Sequence, residues 1–595
     1  MVVDGSARAD EAVQAALRAR VDEERARLQR EAGLPEIRHF RRPAERPFVA
    51  DERDRVTLLI GGLTARHDVL IQAVFHGSGY RCERLPVPDV AACQIGKEFG
   101  NVGQCNPTYF TIGALITYLR QLEARGLTRQ QIVDQYVFFT AGSCGPCRFG
   151  MYETEYRSAL QNAGYAGFRV LVFQQTDGIN AAGEPGLKFT VNFGMGMLNA
   201  LLLADVLNDV ANQIRPFEVV PGETDRAAAE VLDDMARFLR ERRAFELMED
   251  GPYWLTRRLA ARPALRNVSS VLCKVYDHVY GRAFRRALRA WRARLDAVEI
   301  DRLRVKPVVK ITGEFWAQTT EGDGNFRIFE FLEREGAQVI TEPVATWLTY
   351  MIHLERMASV SRRPVEAPFP RAAWWQLRRR AVNAATFQRK ALLLDLGEGL
   401  LMHFHHRLGA RLGRAHRLAP QSELARLAHP YYHQLARGGE GSMEVGKNVY
   451  YSLNRLCHMV LALKPFGCMP SSQSDGVQAA VTSHFKDMIF LPVETAGEGE
   501  INAHSRVQMA LADARTRARA EFDDALAASG HPLERLRAYV ARHPQLRRPF
   551  HPIARQPGVT GTAAQFVRHV GALIDAEAAT ESRRREAPLV RMPTW

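Results

Sequence analysis

The chain has 595 residues, of which 46% are hydrophobic, 25% charged and 9% aromatic, and its formal net charge is +14. This length predicts several compact units, and the balance of apolar and charged residues excludes a disordered or fibrous protein. The positive charge is small for the length and lies mostly in stretches interleaved with Glu. It therefore gives weak support for a polyanionic partner, and we do not expect nucleic acid.

The start of the sequence and its cysteines indicate the compartment. Residues 1–5 carry no basic region leading into an apolar run, and the most apolar stretch, 195–206, is too short to span a bilayer. We therefore expect a cytoplasmic protein without a membrane partner. Eight cysteines are too few for a disulfide scaffold in a chain of this length, so their placement matters more than their number.

The first predicted elements are a helical arm and an α/β unit. Residues 7–32 have a helical charge pattern, and a basic, Pro-containing linker follows. Short apolar runs then predict a strand at 56–60, a helix around Leu70 and a second strand at 79–87. The segment 135–174 predicts strand, helix and strand, which is one βαβ crossover and requires a parallel sheet. We also predict a strand at 188–193.

The strand–loop–helix–strand pattern returns twice, at 307–343 and at 461–492. We therefore predict an α/β fold of several Rossmann-like parallel-sheet modules, with large helical insertions and helical terminal extensions. Changes of composition set the predicted boundaries. These give a helical arm (1–50), an α/β domain with a CGPC junction (51–224), a helical insertion (225–305), an α/β domain (306–365), a second helical insertion (366–440), an α/β segment with an FGCMPS junction (441–512) and a helical C-terminal extension (513–595).

Cys144 and Cys147 form the motif CGPC after a predicted buried strand and at the start of a helix. This spacing brings two sulfurs close together, and the N–H groups and dipole of a helix N-terminus lower the pKa of a thiol. The motif predicts sulfur chemistry, either a dithiol redox pair or two ligands of a metal or cluster. A thioredoxin-like domain is disfavoured, because Ser143 replaces the Trp that would precede Cys144 and Pro185 lies in a loop.

Two further cysteines occupy junctions of the same kind. Cys105 stands before a predicted helix at 109–123, and Cys468 lies between a predicted strand and a helix. In open α/β sheets such junctions lie at the carboxyl edge, where residues far apart in sequence converge. We therefore expect one site built from Cys105, Cys144, Cys147 and Cys468.

Four thiolates without a histidine at zinc-knuckle spacing suit an iron–sulfur cluster, 4Fe–4S or larger, or structural zinc. Structural zinc usually takes two close CxxC pairs, whereas only one pair is close here. Scattered single ligands around a crevice favour the cluster. Two alternatives stay open: a zinc- or thiol-stabilised binding or scaffold protein, and a dithiol oxidoreductase that uses Cys144 and Cys147.

Two polar loops follow predicted strands at the same edge, at 313–325 and 494–505. Glu314 lies in the first loop, and Glu498 and His504 lie in the second. Acids and imidazoles at this edge can hydrogen-bond a ligand or transfer protons. We therefore expect Glu314, Glu498 and His504 to be catalytic, with plain surface loops as the alternative.

Six segments together resemble one known group. They are GQCNPTYFTIGALITYL, TAGSCGPCRFGMYETEYR, KFTVNFGMG, ITGEFWAQTTEGDGNF, PFGCMPSSQSDGVQ and LPVETAGEGEINAHSRVQMAL. The chain is similar to the proteins related to the 2-hydroxyacyl-CoA dehydratases and their activases, in the superfamily of the benzoyl-CoA reductases and double-cubane-cluster proteins. The resemblance covers residues 56–355 and 440–512.

The resemblance implies a cluster held by single cysteines from separate α/β domains and low-potential electron transfer, or reductive or dehydratase chemistry. Cys105, Cys144, Cys147 and Cys468 match cysteine-bearing motifs of the group. It also implies an acyl-CoA-type substrate and reduction by an ATP-dependent, actin-like activase. No actin-like ATPase domain is fused in this sequence, so we expect the activase to be a separate chain; the oligomeric state is left open.

Overall fold

The computed structural model describes residues 16–33 apart from 18, 22 and 25, and residues 45–586 apart from 143–146, 175–185, 244, 251–262, 371–372 and 437. The chain divides into two compact units, Met1–Ala44 and Glu45–Trp595. In the first unit, the described residues between 16 and 31 are helical and lie within the predicted arm. Both sheets and all the predicted site residues belong to the second unit.

Two four-stranded parallel sheets form the α/β part of the second unit. Their strand orders are β2-β1-β3-β4 and β6-β5-β7-β8, so the two sheets share one connection pattern. The predicted α/β fold is confirmed at this level. The strands are Thr57–Ile60 (β1), Arg81–Arg84 (β2), Tyr136–Gly142 (β3), Arg169–Gln174 (β4), Val308–Gly313 (β5), Gln338–Ile340 (β6), Met459–Pro465 (β7) and Phe490–Thr495 (β8).

Three of the four central strands are buried on both faces because helices cover both sides of a parallel sheet, whereas β3 is buried only in part. β1, β5 and β7 are buried at every position, which explains their nearly continuous apolar sequences TLLI, VVKITG and MVLALKP. Two lysines interrupt these runs, and each is paired with a buried acid: Lys310 with Glu342 and Lys464 with Glu444. The two central strands of the second sheet therefore contribute both to the apolar core and to buried ion pairs.

Helices make up most of the second unit. They connect the strands, fill the two predicted insertions and form the C-terminal extension. They are Ala65–Gly77 (α1), Val90–Phe99 (α2), Asn106–Ala124 (α3), Arg129–Gln135 (α4), Tyr152–Asn162 (α5), Val191–Ile214 (α6), Glu223–Glu241 (α7), Leu247–Asp250 (α8), Pro263–Tyr280 (α9), Arg282–Ala297 (α10), Phe315–Thr319 (α11), Ile328–Arg334 (α12), Val344–Ser361 (α13), Arg363–Glu366 (α14), Leu377–Leu412 (α15), Gln421–Ala428 (α16), Gly441–Leu453 (α17), Met469–His484 (α18), Glu500–Ser529 (α19), Leu533–Arg542 (α20) and Thr562–Glu586 (α21).

The predicted strand at 188–193 is wrong, because helix α6 begins inside it. The Thr190 side chain accepts a hydrogen bond from the backbone N–H of Phe193, which is the capping contact that starts a helix. Most of α6 then packs into the largest apolar core. Among the described residues, one helix, Val191–Phe217, is long and apolar enough to span a membrane, and more than half of its most apolar window is buried in the protein.

Two helices begin earlier than the sequence pattern predicts. Helix α18 starts at Met469, directly after Cys468, rather than near residue 476. Helix α19 starts at Glu500, so His504 lies in a helix and not in the predicted loop. The first turns of both helices lie in sequence that contains Gly or Ser, and this composition predicts a loop. In the folded protein these residues are helical.

Candidate functional site

Three of the four predicted sulfur ligands lie where a helix or helical turn begins. Cys105 is the residue before α3, Cys468 is the residue before α18, and Cys147 precedes a short helical turn, Arg148–Met151. Cys144 lies outside the described residues. We call the region around Cys105, Cys147 and Cys468 the cysteine junction.

The three stretches that carry these cysteines contact one another. The backbone N–H of Asn106 donates a hydrogen bond to the carbonyl of Phe466 at 3.0 Å. The guanidinium group of Arg148 donates to the carbonyl of Gly467. Residues separated by more than 300 positions are therefore brought to one place, as we expect for junctions at facing sheet edges.

Gly467 permits this close approach. Its φ is +73°, and a Cβ added there would lie 3.4 Å from the Cα of Cys105 and 3.3 Å from the carbonyl oxygen of Gln104. Glycine adopts such a φ without steric strain, and its lack of a side chain leaves room for the neighbouring backbone. The turn before Cys468 therefore packs directly against the turn before α3.

The sulfur of Cys105 lies among hydroxyl groups. Its Sγ is 3.2 Å from Thr108 Oγ1 and 3.2 Å from the hydroxyl of Tyr152. Burial raises the pKa of the Cys105 thiol, although the hydrogen bonds from both hydroxyls oppose this shift. Hydroxyl donors of this kind stabilise a thiolate or a metal-bound sulfur once it forms.

Two carboxyl groups, the half-buried Glu314 and the buried Glu440, lie beside the cysteine junction. Glu314 caps α11 by accepting a hydrogen bond from Ala317 N at 2.9 Å, and Glu440 accepts one from Phe315 N at 2.6 Å. Burial and the charge of Glu440 raise the pKa of Glu314, and burial raises that of Glu440. Burial, together with the charges of both glutamates, raises the pKa of Cys147 to about 12.

Two lysines of the second module, one on β7 and one on α17, are engaged with other acids. Lys464 lies 2.8 Å from Glu444, and Lys447 lies 3.4 Å from Glu342. Burial disfavours the ionised forms of the thiols and carboxyl groups of the junction, and metal binding to the thiols would release their protons. Within the described residues, no three His, Cys, Asp or Glu side chains form a group that could hold a metal ion.

The chemistry of the donor set fits an iron–sulfur cluster. Such clusters are held by cysteine thiolates and carry negative charge. Here the sulfurs lie where helical segments begin, and the N–H groups and dipole at a helix N-terminus stabilise negative charge. Cys144 is three residues from Cys147 and is the fourth sulfur that the sequence supplies near this place.

The structure does not join Glu498 and His504 to the cysteine junction. The side chain of Glu498 is 76% exposed and lies 4.0 Å from Lys97. His504 Nε2 is 2.8 Å from the carbonyl oxygen of Phe326, and its ring stacks on Phe331 at 3.8 Å. Of the three predicted catalytic residues, Glu314 alone lies beside the cysteines.

Glu440 was missed by the sequence analysis, although its position carried a signal. It stands directly before α17, the helix that leads into β7, just as Cys105 stands directly before α3, whose chain leads on to β3. Because the two sheets share one strand order, these positions are equivalent in the two modules. A comparison of the two modules would therefore have pointed to Glu440.

A cavity of about 700 Å³ lies between the modules and is a second candidate site. It is lined by the start of α1, the end of α6, the polar loop 313–325 and the chain that follows β6. Gln318 and Asn325 line it, and in the described part of the chain their side-chain oxygens, Gln318 Oε1 and Asn325 Oδ1, have no hydrogen-bond partner. Both oxygens are buried, so the wall of the cavity contains two acceptors that are unsatisfied within the described residues.

Two of the acids around this cavity bind the N-termini of helices. Asp205 accepts hydrogen bonds from Val344 N at 2.7 Å, Ala345 N at 2.9 Å and His67 Nε2 at 3.1 Å. Glu321 of the polar loop accepts one from Ala65 N at 3.3 Å. These carboxylates therefore fix the modules to one another through helix N-termini, which attract negative charge.

Comparison with known proteins adds no relative. No family model, no curated protein and no solved structure matches the chain.

Proposed function

We propose that the protein is an iron–sulfur protein related to the 2-hydroxyacyl-CoA dehydratases, built on two Rossmann-like modules. Cys105, Cys144, Cys147 and Cys468 hold the cluster, which is 4Fe–4S or larger. The observation that supports this most directly is the contact between the three stretches that carry Cys105, Cys147 and Cys468. The fold brings these junctions to facing sheet edges, and a shared ligand explains why each of the three turns carries a cysteine.

When bound, the cluster supplies low-potential one-electron transfer. The chain's own residues hold the sulfurs, donate hydrogen bonds and keep water out. Tyr152 is buried and donates to the Cys105 sulfur, and the raised pKa of Glu314 keeps a proton on its carboxyl group beside the cysteines. Glu314 is therefore the best placed of the predicted residues to give a proton to a reacting group.

The cavity between the modules takes the polar part of an acyl-CoA-type substrate. Arg66, which lines the cavity, offers a positive charge, and the unsatisfied oxygens of Gln318 and Asn325 lie in its wall. The reaction is a reduction or dehydration of the thioester substrate, or electron delivery to another enzyme. A separate actin-like activase supplies the electrons, and the expected location is the cytoplasm.

The test is anaerobic reconstitution of the full chain with iron and sulfide, followed by iron and sulfide assay and EPR spectroscopy. We expect a reducible cluster in the native protein. Replacement of Cys468 by Ala should remove it, because one ligand is lost. Cys457→Ala is the matched control: Cys457 is also buried but lies in a separate apolar cluster, so this variant should load normally.

Three results would contradict the proposal. Iron-free, colourless protein after reconstitution would rule out the cluster. Stoichiometric zinc without a redox signal would favour the zinc-stabilised binding or scaffold protein. Reversible disulfide formation at Cys144 and Cys147 that persists in the Cys468→Ala variant would favour the dithiol oxidoreductase.

A further inference from the structure

The connection between α13 and α15 exposes an unusual set of large apolar side chains. Val365 is 78% exposed, Trp374 is 74% exposed and Leu377 is 73% exposed, and Trp375 and Phe369 are also exposed. Single exposed apolar residues are common on soluble proteins, but a group of this size marks an interaction surface. We call the surface formed by these five residues the aromatic tip.

The aromatic tip is held in place by specific contacts. The backbone N–H of Phe369 donates to Asn383 Oδ1 at 3.0 Å, and Asn383 Nδ2 donates back to the Phe369 carbonyl at 2.9 Å. The guanidinium group of Arg379 lies 5.3 Å from the centre of the Phe369 ring. The rings of Trp374 and Trp375 contact edge to face at 5.6 Å. The exposure of these side chains therefore belongs to the folded structure.

The same segment is strongly basic. Residues 361–390 contain eight Arg and Lys and one Glu, a net charge of +7, which is half of the +14 of the whole chain. Arg378, Arg379 and Arg380 are exposed directly after the tryptophans. In the part of the chain that the structure describes, these three arginines form no ion pair, whereas Lys390 is paired with Glu355 at 2.7 Å.

Exposed tryptophans and aliphatic side chains beside arginines that form no ion pair in the described chain favour one class of partner. Trp and aliphatic residues insert at the boundary between lipid headgroups and acyl chains, and neighbouring arginines attract anionic headgroups. Single-stranded nucleic acid would stack on the tryptophans but would leave Val365 and Leu377 without an apolar contact. A second copy of the chain would place two segments of net charge +7 against each other, and these would repel.

We propose that the aromatic tip binds the surface of an anionic lipid bilayer. No spanning helix is needed for this, because an exposed amphipathic segment lies in the interface. Binding to a bilayer surface departs from the prediction of no membrane partner, which rested on the lack of a spanning segment in the sequence. The proposal is independent of the iron–sulfur function, since the tip does not include any of the cysteines.

The test is co-sedimentation of the full chain with vesicles of phosphatidylcholine alone and of phosphatidylcholine mixed with phosphatidylglycerol. We expect binding to the anionic vesicles only, and weakening by salt. Replacement of Arg378, Arg379 and Arg380 by Gln should weaken it about a hundredfold. The matched control replaces Arg285, Arg286 and Arg289 of α10, which are also exposed, by Gln and should leave binding nearly unchanged.

Brominated lipids give a readout that does not depend on charge. They quench tryptophans that enter the acyl region, so we expect quenching in the native protein and its loss in the Trp374→Phe, Trp375→Phe variant. Circular dichroism checks that each variant is folded. No vesicle binding, equal loss in the α10 control, competition by single-stranded RNA without lipid quenching, or a dimer that dissociates when the tryptophans are replaced would each overturn the proposal.

Discussion

Glu314 and Glu342 follow neighbouring strands of the second sheet, β5 and β6, and lie in opposite electrostatic surroundings. Glu342 is buried 2.8 Å from Lys310 and 3.4 Å from Lys447. Although burial alone would raise it, these two positive charges lower the pKa of Glu342 to about 2. Burial raises the pKa of Glu314, and the negative charge of Glu440 raises it further.

The difference separates a structural region from a functional one. Around Glu342 two lysines stabilise the carboxylate form, so this group is part of a buried ion-pair network. At the cysteine junction the acids lie near thiols, and the guanidinium group of Arg148 donates to the Gly467 carbonyl. Burial and the charge of Glu440 disfavour the carboxylate form of Glu314, so this side chain can keep a proton beside the cysteines and give it to a bound ligand.

The largest effect is expected for Glu342→Gln. It leaves Lys310 and Lys447 buried without a counter-charge, and removing one partner of a buried ion pair costs about 3 to 5 kcal/mol of unfolding free energy. Urea unfolding at neutral pH measures this. The stabilisation by Glu342 is present above pH 4.5, its ordinary pKa, and is lost as the pH falls towards 2. The native protein should therefore lose stability in this range, and the variant should lose less.

The next effect is expected for Asp205→Ala, which acts on the contact between the modules. The change removes the acceptor of two backbone N–H groups and of His67, all buried, so we expect a loss of about 3 kcal/mol. The control is Asp225→Ala, since the Asp225 side chain also lines the cavity but is 58% exposed in its pair with Arg215. A surface pair of this kind contributes at most about 1 kcal/mol. Equal losses in the two variants would contradict the capping role of Asp205.

The main features of the fold were predictable because they depend on local pattern. Short, apolar, β-branched runs identified the central strands, and the position of cysteines after or between these runs indicated a common edge. The prediction of secondary structure failed where the pattern of a short segment is compatible with both a strand and a helix. Residues 188–193 have a strand-like apolar pattern, but Thr190 caps a helix whose burial decides the outcome.

The partners of the site could not be predicted, because they depend on contacts between remote residues. Asp205 lies in the middle of an apolar helix, and its role is visible only when α13 is placed against it. Nothing in the sequence near Glu440 distinguished it from other acids. Its role became visible only when the structure showed that it occupies the position equivalent to Cys105 and contacts the residue after Glu314. His504 was expected in a loop with the acids, but the helix turns it towards Phe326 and Phe331.

The comparison of the two glutamates predicts that Glu314→Gln raises the free energy of unfolding of the metal-free protein, whereas Glu342→Gln lowers it. Because the pKa of Glu314 is raised on folding, its protonated form adds stability at low pH that is lost as the pH rises above 4.5 and through the raised value. Glutamine keeps a neutral group there, so we expect a gain of about 1 kcal/mol or more at pH 8. Unfolding of both proteins at pH 4 and pH 8 measures it. A loss of stability at pH 8, as in Glu342→Gln, would mean that Glu314 is stabilised as a carboxylate.

The smallest effect on stability, and the most specific one on the cysteine junction, is expected for Gly467→Ala. Its control is Gly336→Ala, because Gly336 has a similar φ of +85° with open space around it, whereas a Cβ at Gly467 would press on the backbone at Cys105. Both changes should cost about 1 kcal/mol through the backbone conformation. Only Gly467→Ala should also lower the iron content after reconstitution, because it moves the turns of Cys468 and Cys105 apart. Equal iron content in the two variants would show that the close approach at Gly467 serves packing alone.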